Sequence, residues 1–357
     1  MEKKNKEEWY KINFKNIVNP ISTRFHNLGL SYGQISNIFD LWSEPHRFYH
    51  GLNHLSEILD LMRKNGYWTP VQGYDKIMLY AAIFHDIIYD PTRDDNEERS
   101  VEEFERYSRL LNLHEKEINE TELSEKEIRI IKEIIMDTKT GISNSNYSEH
   151  FIKLDRYNLL YGDFQTILSK TMLLFKEQQF MDLKDWKIKT TSFLSQFVDT
   201  NPNIKNVISY LEMWTPKIGI YAGSFNPFHK GHFNVLTKGE QIFDKIIIAL
   251  GTNPDKNNDL WKLPEILKYY QVERYEGFLT HFMDKLSYDT TLIRGLRNST
   301  DLQYEMTQYA YLQDMKPDIK IVNIFCDKEF EHISSSAIRN LTKLDPNFGK
   351  KYLLTED

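Results

Sequence analysis

At Thr215-Pro216 the hydrophobic pattern of this chain changes period. Upstream, LSEILDLMRKNGY, YDKIMLYAAIFHDIIY, EERSVEEFERYSRLLNL and SEKEIRIIKEIIMDT carry apolar residues three and four apart, the spacing of a helix face, and strand-like alternation is scarce. FQTILSKTMLLFKEQQF, TTSFLSQFV and VISYLEMW continue that spacing. Downstream, KIGIYAG is a short apolar run ending in glycine, which reads as a buried strand. A Gly/Pro/His-rich loop, a helical FNVLTKGEQIF and a second apolar run, KIIIALG, follow it. That is a β-α-β unit, the building block of a parallel sheet with right-handed crossovers. TTLIRG and IKIVNIF read as later strands of the same sheet. The expectation is two domains, an all-α domain over residues 1–214 and an α/β domain with a doubly wound parallel sheet over residues 215–357. The length suits this, because 357 residues is long for one compact domain and comfortable for two.

Composition narrows the function classes. Hydrophobic residues make up 40% and charged residues 27%, an ordinary soluble globular balance. A net charge of -7 argues against a general nucleic-acid binder while leaving room for a local basic pocket. No apolar run approaches the roughly 20 residues of a membrane span. The charged start, MEKKNKEEWYK, has no apolar core behind it, so neither signal peptide nor anchor is expected and the protein is placed in the cytoplasm. The single cysteine, Cys326, excludes an intrachain disulfide and a Cys-based zinc site, and in IKIVNIFC it reads as a buried strand residue.

The chemistry of the second domain concentrates in Gly223-Ser224-Phe225-Asn226-Pro227-Phe228-His229-Lys230-Gly231-His232, between the first strand and its helix. At such a junction free backbone N–H groups and the helix dipole favour a phosphate, and glycine lets the backbone come close to it. His229 and His232, three apart in the first turn, can face the same phosphate oxygens, where an imidazolium or an imidazole N–H stabilises developing charge. Arg294 and Arg297, in IRGLR at the end of an apolar strand, suit bidentate phosphate binding, with Asp301, Tyr304 and Glu305 close behind. Ser334, Ser335 and Ser336 open a further helix with Arg339 one turn on, a third anion-binding arrangement.

This set resembles the nucleotidyltransferase superfamily marked by (T/H)xGH and ISSTxxR motifs, and within it phosphopantetheine adenylyltransferase. The matching pieces are YAGSFNPFHKGH, ALGTNPDK, LIRGLRNSTDLQYE and ISSSAIR, from about Lys217 to Leu341. The resemblance implies a Rossmann-like domain that transfers an adenylyl group from ATP, with Mg²⁺, to a phosphate-bearing acceptor. It implies His232 and His229 on the ATP phosphates, Lys256 bridging acceptor and ATP, and Arg294 on the acceptor phosphate. Gly223, Ser224, Phe225, Gly231, Arg297, Asp301 and Glu305 would bind nucleotide and substrate, and Ser334, Ser335, Ser336 and Arg339 the outer phosphates. It also implies a homo-oligomer. The chain departs from the family where NNDLWKLPEILKYY lacks an arginine, where Leu312 stands near an expected asparagine, and in a shortened end. These departures fall on the acceptor side. Nicotinamide mononucleotide is the rival acceptor, since GSFNPFHKGH and SSSAIR fit that group too, but the RGLR block speaks against it.

In the first domain the notable residues are EPHRFYH, His54, the adjacent His85-Asp86 and the later Asp155. A helix carrying His50 and His54 would put both on one face. His85-Asp86 late in an apolar helix needs buried partners, and a divalent metal (Mn²⁺, Fe²⁺, Zn²⁺ or Mg²⁺) would supply one. EPHRFYH, AAIFHDIIYDP and DNEERS resemble a subgroup of the HD superfamily of metal-dependent phosphohydrolases, from about Leu41 to Asp163 and more loosely to Phe197. The resemblance implies His50, His85, Asp86 and Asp155 as ligands, with His54, Asp95, Glu97 and Glu98 behind them or on substrate. A histidine expected after Thr138-Lys139 is missing, with His150 the nearest stand-in. A bifunctional enzyme follows, or alternatively a helical ligand-sensing or oligomerisation module attached to a transferase.

Overall fold

The computed structural model describes residues 30–69, 73–114, 123–251 and 262–354. The chain divides into two compact units, Met1–Glu177 with Lys187–Glu212, and Gln178–Trp186 with Met213–Asp357.

The described helices up to the second unit are α1 (Tyr32–Trp42), α2 (Leu52–Lys64), α3 (Lys76–Phe84), α4 (Asn96–His114), α5 (Glu125–Thr140), α6 (Asn146–Asp155), α7 (Tyr157–Tyr161), α8 (Phe164–Glu177), α9 (Leu183–Ser195) and α10 (Asn203–Met213). A short hairpin, β1 (Trp68–Thr69) with β2 (Gly73–Tyr74), lies between α2 and α3. Local chemistry sets several ends. Ser31 with Gln34 and Ser124 with Glu127 form capping boxes at α1 and α5, and Gly141 closes α5 at a φ of 72° that favours glycine. α3 is the hub of the first unit. Every residue from Ile77 to Phe84 is buried, and it packs against α2, α4, α5 and α6. Each such large apolar side chain contributes about 1.5–3 kcal/mol by leaving water. α3 ends on His85 as its C-cap, so the most firmly packed helix delivers the first of the chemical groups.

The second unit is built on a five-stranded parallel sheet in the order β5 (Gln271–Tyr275), β4 (Lys245–Gly251), β3 (Ile218–Gly223), β6 (Thr290–Leu296), β7 (Lys320–Phe325). Its helices are α11 (Lys230–Gly239), α12 (Leu279–Lys285), α13 (Ser299–Met315), α14 (Ser335–Leu344) and α15 (Pro346–Lys350). β3 and β4 are buried nearly throughout, as parallel strands covered on both faces must be. The chain runs outward from β3 through β4 to β5, then returns to β6 on the other side of β3. A ligand crevice in such a sheet lies beyond the carboxyl ends of the strands where that reversal occurs, here β3 and β6.

Residues 178–186, which a boundary at Thr215 leaves with the helices, pack with the sheet. Lys245 Nζ donates to the carbonyls of Gln179 and Met181 at 2.6 and 2.8 Å, Gln271 N donates to Gln179 O at 3.1 Å, and Tyr288 Oη donates to Asp182 at 2.7 Å. The helical spacing of LLFKEQQF masks this in the sequence. Among the described residues, no helix is long and apolar enough to cross a membrane.

Candidate active site

β3 delivers its last residues into a tight loop. Phe225 turns the chain with a φ of 43°, a left-handed conformation that costs a non-glycine residue energy. Burial of its ring against Tyr221, Phe228 and His232 holds it there. Gly223 must stay bare, because a Cβ on it would lie 2.9 Å from the Phe225 ring. α11 begins at Lys230 with His229 as N-cap.

The two histidines cap one another. His232 N donates to His229 Nδ1 and His229 N donates to His232 Nδ1, both at 3.3 Å, and the rings stack with centroids 3.6 Å apart. A ring nitrogen that accepts a backbone N–H carries no proton, so each neutral imidazole bears its proton on Nε2. Burial, reinforced by the charge of Arg297, lowers the His229 pKa to about 4. Burial, then His229 and Arg297, push His232 well below its ordinary value. Of the two forms that the sequence allows, the structure therefore selects neutral imidazole N–H donors.

Beyond β3 and β6 opens a cavity of about 370 Å³. Gly223, Ser224, Phe225, His229, Gly231, His232, Arg294, Arg297, Asp301, Glu305, Ser334 and Ser335 all line it. Each arginine is held by a carboxylate. Arg294 Nε and Nη2 donate to Glu305 at 2.6 and 2.7 Å, and Arg297 Nε and Nη2 donate to Asp301 at 2.8 Å each. Such forks fix the guanidinium plane while leaving its remaining N–H groups for a ligand. Asn298 caps α13 by accepting from Thr300 N and Asp301 N, which holds Asp301 opposite Arg297.

The cytidylyltransferase-like family model matches residues 220–341. The phosphopantetheine adenylyltransferase of Mycoplasma capricolum is 33% identical over 134 residues, 35% of this chain and 96% of that relative. The chain belongs to the cytidylyltransferase-like family. The phosphopantetheine adenylyltransferases of Cytophaga hutchinsonii (36% identical over 138 residues, 36% of this chain and 91% of the relative) and of a Streptococcus pneumoniae strain (33% over 137 residues, 36% and 84%) agree. This cytidylyltransferase-like domain is a nucleotidyltransferase, and the likeness covers it alone.

The remaining motif residues of the domain divide. Ser334 caps α14 by accepting from Ala337 N, and Ser335 Oγ donates to Pro227 O at 3.0 Å. Ser336 and Arg339 do not line the cavity. Arg339 donates to Asn226 O and to Ser336 Oγ, so its fork braces the loop that carries Phe225 and His229. Lys256 lies outside the described residues. Sequence reasoning missed Tyr221, Val235, Phe330 and Cys326 as lining. Period-two alternation from Gly223 would have found Tyr221. Gly295 of the RGLR block explains itself here, since a Cβ would lie 3.1 Å from Val235 on α11. Cys326 is buried one residue beyond β7, and burial raises its thiol pKa.

In the helical unit, four side chains converge. His54 Nε2 lies 3.1 Å from Asp155 Oδ1, and His85 Nε2 lies 3.3 Å from His54 Nε2, 3.0 Å from Asp86 Oδ2 and 3.7 Å from Asp155 Oδ1. His54, His85 and Asp155 can offer donor atoms all within 4.8 Å of one another. His85 Nδ1 donates to Ala82 O, which turns Nε2 toward the group. Burial opposes the charged form of His85, but the Asp86 and Asp155 carboxylates outweigh it and raise its pKa to about 9.

His50 is not where the sequence puts it. It precedes α2, so the one-face argument with His54 fails, and His54 takes the clustered position instead. His50 Nδ1 is bonded to Glu177 at 2.7 Å. Glu177 is buried at 1% exposure and lies beyond the segment to which the motifs point, so sequence reasoning missed it. Asp95 and Glu98 are corrected too. Asp95 pairs with Arg93 and Glu98 with Lys139, as solvated groups before and in the first turn of α4 do. Among those acids Glu97 is the one whose pKa burial raises, with the Asp86 charge adding to it. His150 is exposed and packs on Tyr67. EPHR is a brace, in which Arg47 donates to Glu44 and to the carbonyls of His50, Asp86 and Ile87.

Proposed function

We propose that the cytidylyltransferase-like domain transfers AMP from ATP to 4′-phosphopantetheine, giving dephospho-coenzyme A and pyrophosphate. The observation that carries this is the meeting of the neutral His229–His232 pair with Arg294 and Arg297 in one cavity at the reversal of the strand order. An acceptor phosphate held by Arg294 attacks the α-phosphorus in line. The O–P bond to pyrophosphate breaks, and Nε2–H donors on the histidines meet the charge that develops. Arg297 and the Ser334 end of α14 hold nucleotide phosphates. Mg²⁺ accompanies ATP and neutralises phosphate charge. The RGLR block and the names of the relatives favour phosphopantetheine over nicotinamide mononucleotide. Pyrophosphate release with each acceptor, against a His232→Ala control, tests the reading. Release with the mononucleotide alone would reassign the domain to NAD synthesis.

We further propose that the helical unit is a metal-dependent phosphohydrolase. Two imidazoles and two carboxylates on converging backbone positions suit a divalent cation, and His54, His85, Asp86 and Asp155 would hold it. Such an ion supplies an activated water for a phosphoester. Metal binding without turnover over a panel of nucleotides and phosphomonoesters would favour a sensing module instead. Self-association is proposed as well. It is supported by α13, which has no buried residue among those described and exposes Tyr304, Met306 and Tyr311. Sedimentation of the full chain tests it, and a monomer at micromolar concentration would refute it.

A further inference from the structure

Glu177 is the last residue of α8 and its side chain is fully buried. It accepts four hydrogen bonds: from Tyr49 N and His50 N on Oε1 at 2.7 and 2.8 Å, and from His50 Nδ1 and Tyr89 Oη on Oε2 at 2.7 and 2.8 Å. A buried carboxylate needs a counter-charge. Among the described residues that these bonds connect to it, His50 alone can carry one. The His50 ring is stacked on Tyr89 at 4.2 Å and flanked by Tyr49 at 4.7 Å, so its plane is fixed. Its side chain keeps 21% exposure, and its ring centroid is 5.9 Å from that of His54. His50 is thus an oriented cation beside the cluster, and not part of the group whose donor atoms lie within 4.8 Å of one another.

We infer that His50 is a phosphoryl-binding residue, presenting Nε2–H to an oxygen of a phosphate ester bound at the His54, His85, Asp86, Asp155 cluster, and that Glu177 is the positioning residue that holds it there. This rests on the phosphohydrolase reading. Nδ1–H stays with Glu177, and Nε2–H is the donor left over. The ligand class is a phosphate monoester or its product, inorganic phosphate, whose oxygens accept charge-assisted hydrogen bonds. Lys170, also on α8, lies 5.8 Å from the Tyr49 ring that flanks His50, so the same helix brings a second cation toward this side.

The test is calorimetry on the full-length protein, first with Zn²⁺ alone, then with inorganic phosphate on the stoichiometrically loaded protein. His50→Gln should keep Zn²⁺ affinity within about threefold and lose about tenfold or more in phosphate affinity. Glu177→Gln should lose phosphate affinity in the same direction, and His54→Ala should lose Zn²⁺ itself. Loss of Zn²⁺ in His50→Gln would make His50 a ligand and overturn the inference, as would unchanged phosphate affinity. In case a variant fails to fold, proton–nitrogen NMR of the wild-type imidazoles gives an independent readout. Both His50 ring nitrogens should be protonated and Nε2 should shift when phosphate is added. Failure of the wild type to bind Zn²⁺ would remove the phosphohydrolase reading, and the phosphate-induced His50 shift on the metal-free protein would then decide this inference by itself. Absence of that shift overturns it.

Discussion

His229 and His232 hold each other in one tautomer, each Nδ1 accepting the other's backbone N–H at 3.3 Å, so both Nε2 atoms carry protons without either ring being charged. A donor of this kind is set before substrate arrives and costs no reorganisation when charge develops. His232→Ala is therefore expected to lower kcat for adenylyl transfer by about 10²–10³-fold, the range for one preorganised donor. Steady-state pyrophosphate release measures it. A loss confined to KM would show that His232 binds ATP without favouring the transition state.

The same geometry fixes a pH dependence of stability. The His229 pKa is about 4 in the folded protein against an ordinary 6.5, because burial and Arg297 disfavour its charged form. Between those values the unfolded chain binds the extra proton, so stability rises with pH across the window. The contribution is full above about pH 6.5, is lost as pH falls toward 4, and amounts to about 3 kcal/mol at 1.36 kcal/mol per pKa unit. His232 shifts in the same direction. His229→Asn keeps an N-cap acceptor and should flatten the slope, as urea midpoints at pH 5 and pH 7 would report. Equal slopes in variant and wild type would remove His229 as the cause.

How much of this was legible follows from which contacts are local. His229, His232, Arg294, Arg297 and Ser334 sit at strand ends and helix starts, and strand-turn-helix geometry aims such positions at one crevice whatever the rest of the chain does. Arg339 was legible as a motif but not in its role, because its partner, the Asn226 carbonyl, is 113 residues away. The His50 and His54 exchange turned on where α2 begins, and a boundary error of two residues was enough to reverse it. Glu177 reaches His50 across 127 positions and carries no motif. The strap at 178–186 was hidden because its apolar spacing continues that of α8.

Arg294 and Arg297 are each gripped by a carboxylate through Nε and Nη2, a fork that lysine cannot reproduce. If Arg294 holds the acceptor phosphate and Arg297 the nucleotide, the two lysine variants should separate. Arg294→Lys is expected to raise KM for the acceptor about ten- to a hundredfold with KM for ATP little changed, from the roughly 1.5–3 kcal/mol of a charged hydrogen bond. Arg297→Lys should do the reverse. Initial rates with each substrate varied in turn would distinguish them, and equal effects on both constants would merge the two roles.

Lys245 is buried at 1% exposure, and burial lowers its pKa from 10.5 to about 7 despite Asp182 and Glu273. Its two partners are the Gln179 and Met181 carbonyls, and a neutral amine still has two N–H groups to offer them. Lys245→Met should leave both carbonyls without that donor and destabilise the protein by about 2 kcal/mol, within the usual penalty for buried unpaired groups. The wild type should also gain stability as pH rises from about 7 toward 10.5, because there the unfolded chain alone holds the proton. The variant should lose that slope. Urea melts at pH 7 and pH 9 on both proteins decide it, and a variant as stable as the wild type would mean that residues 178–186 hold to the sheet through Tyr288 and Gln271 without help from Lys245.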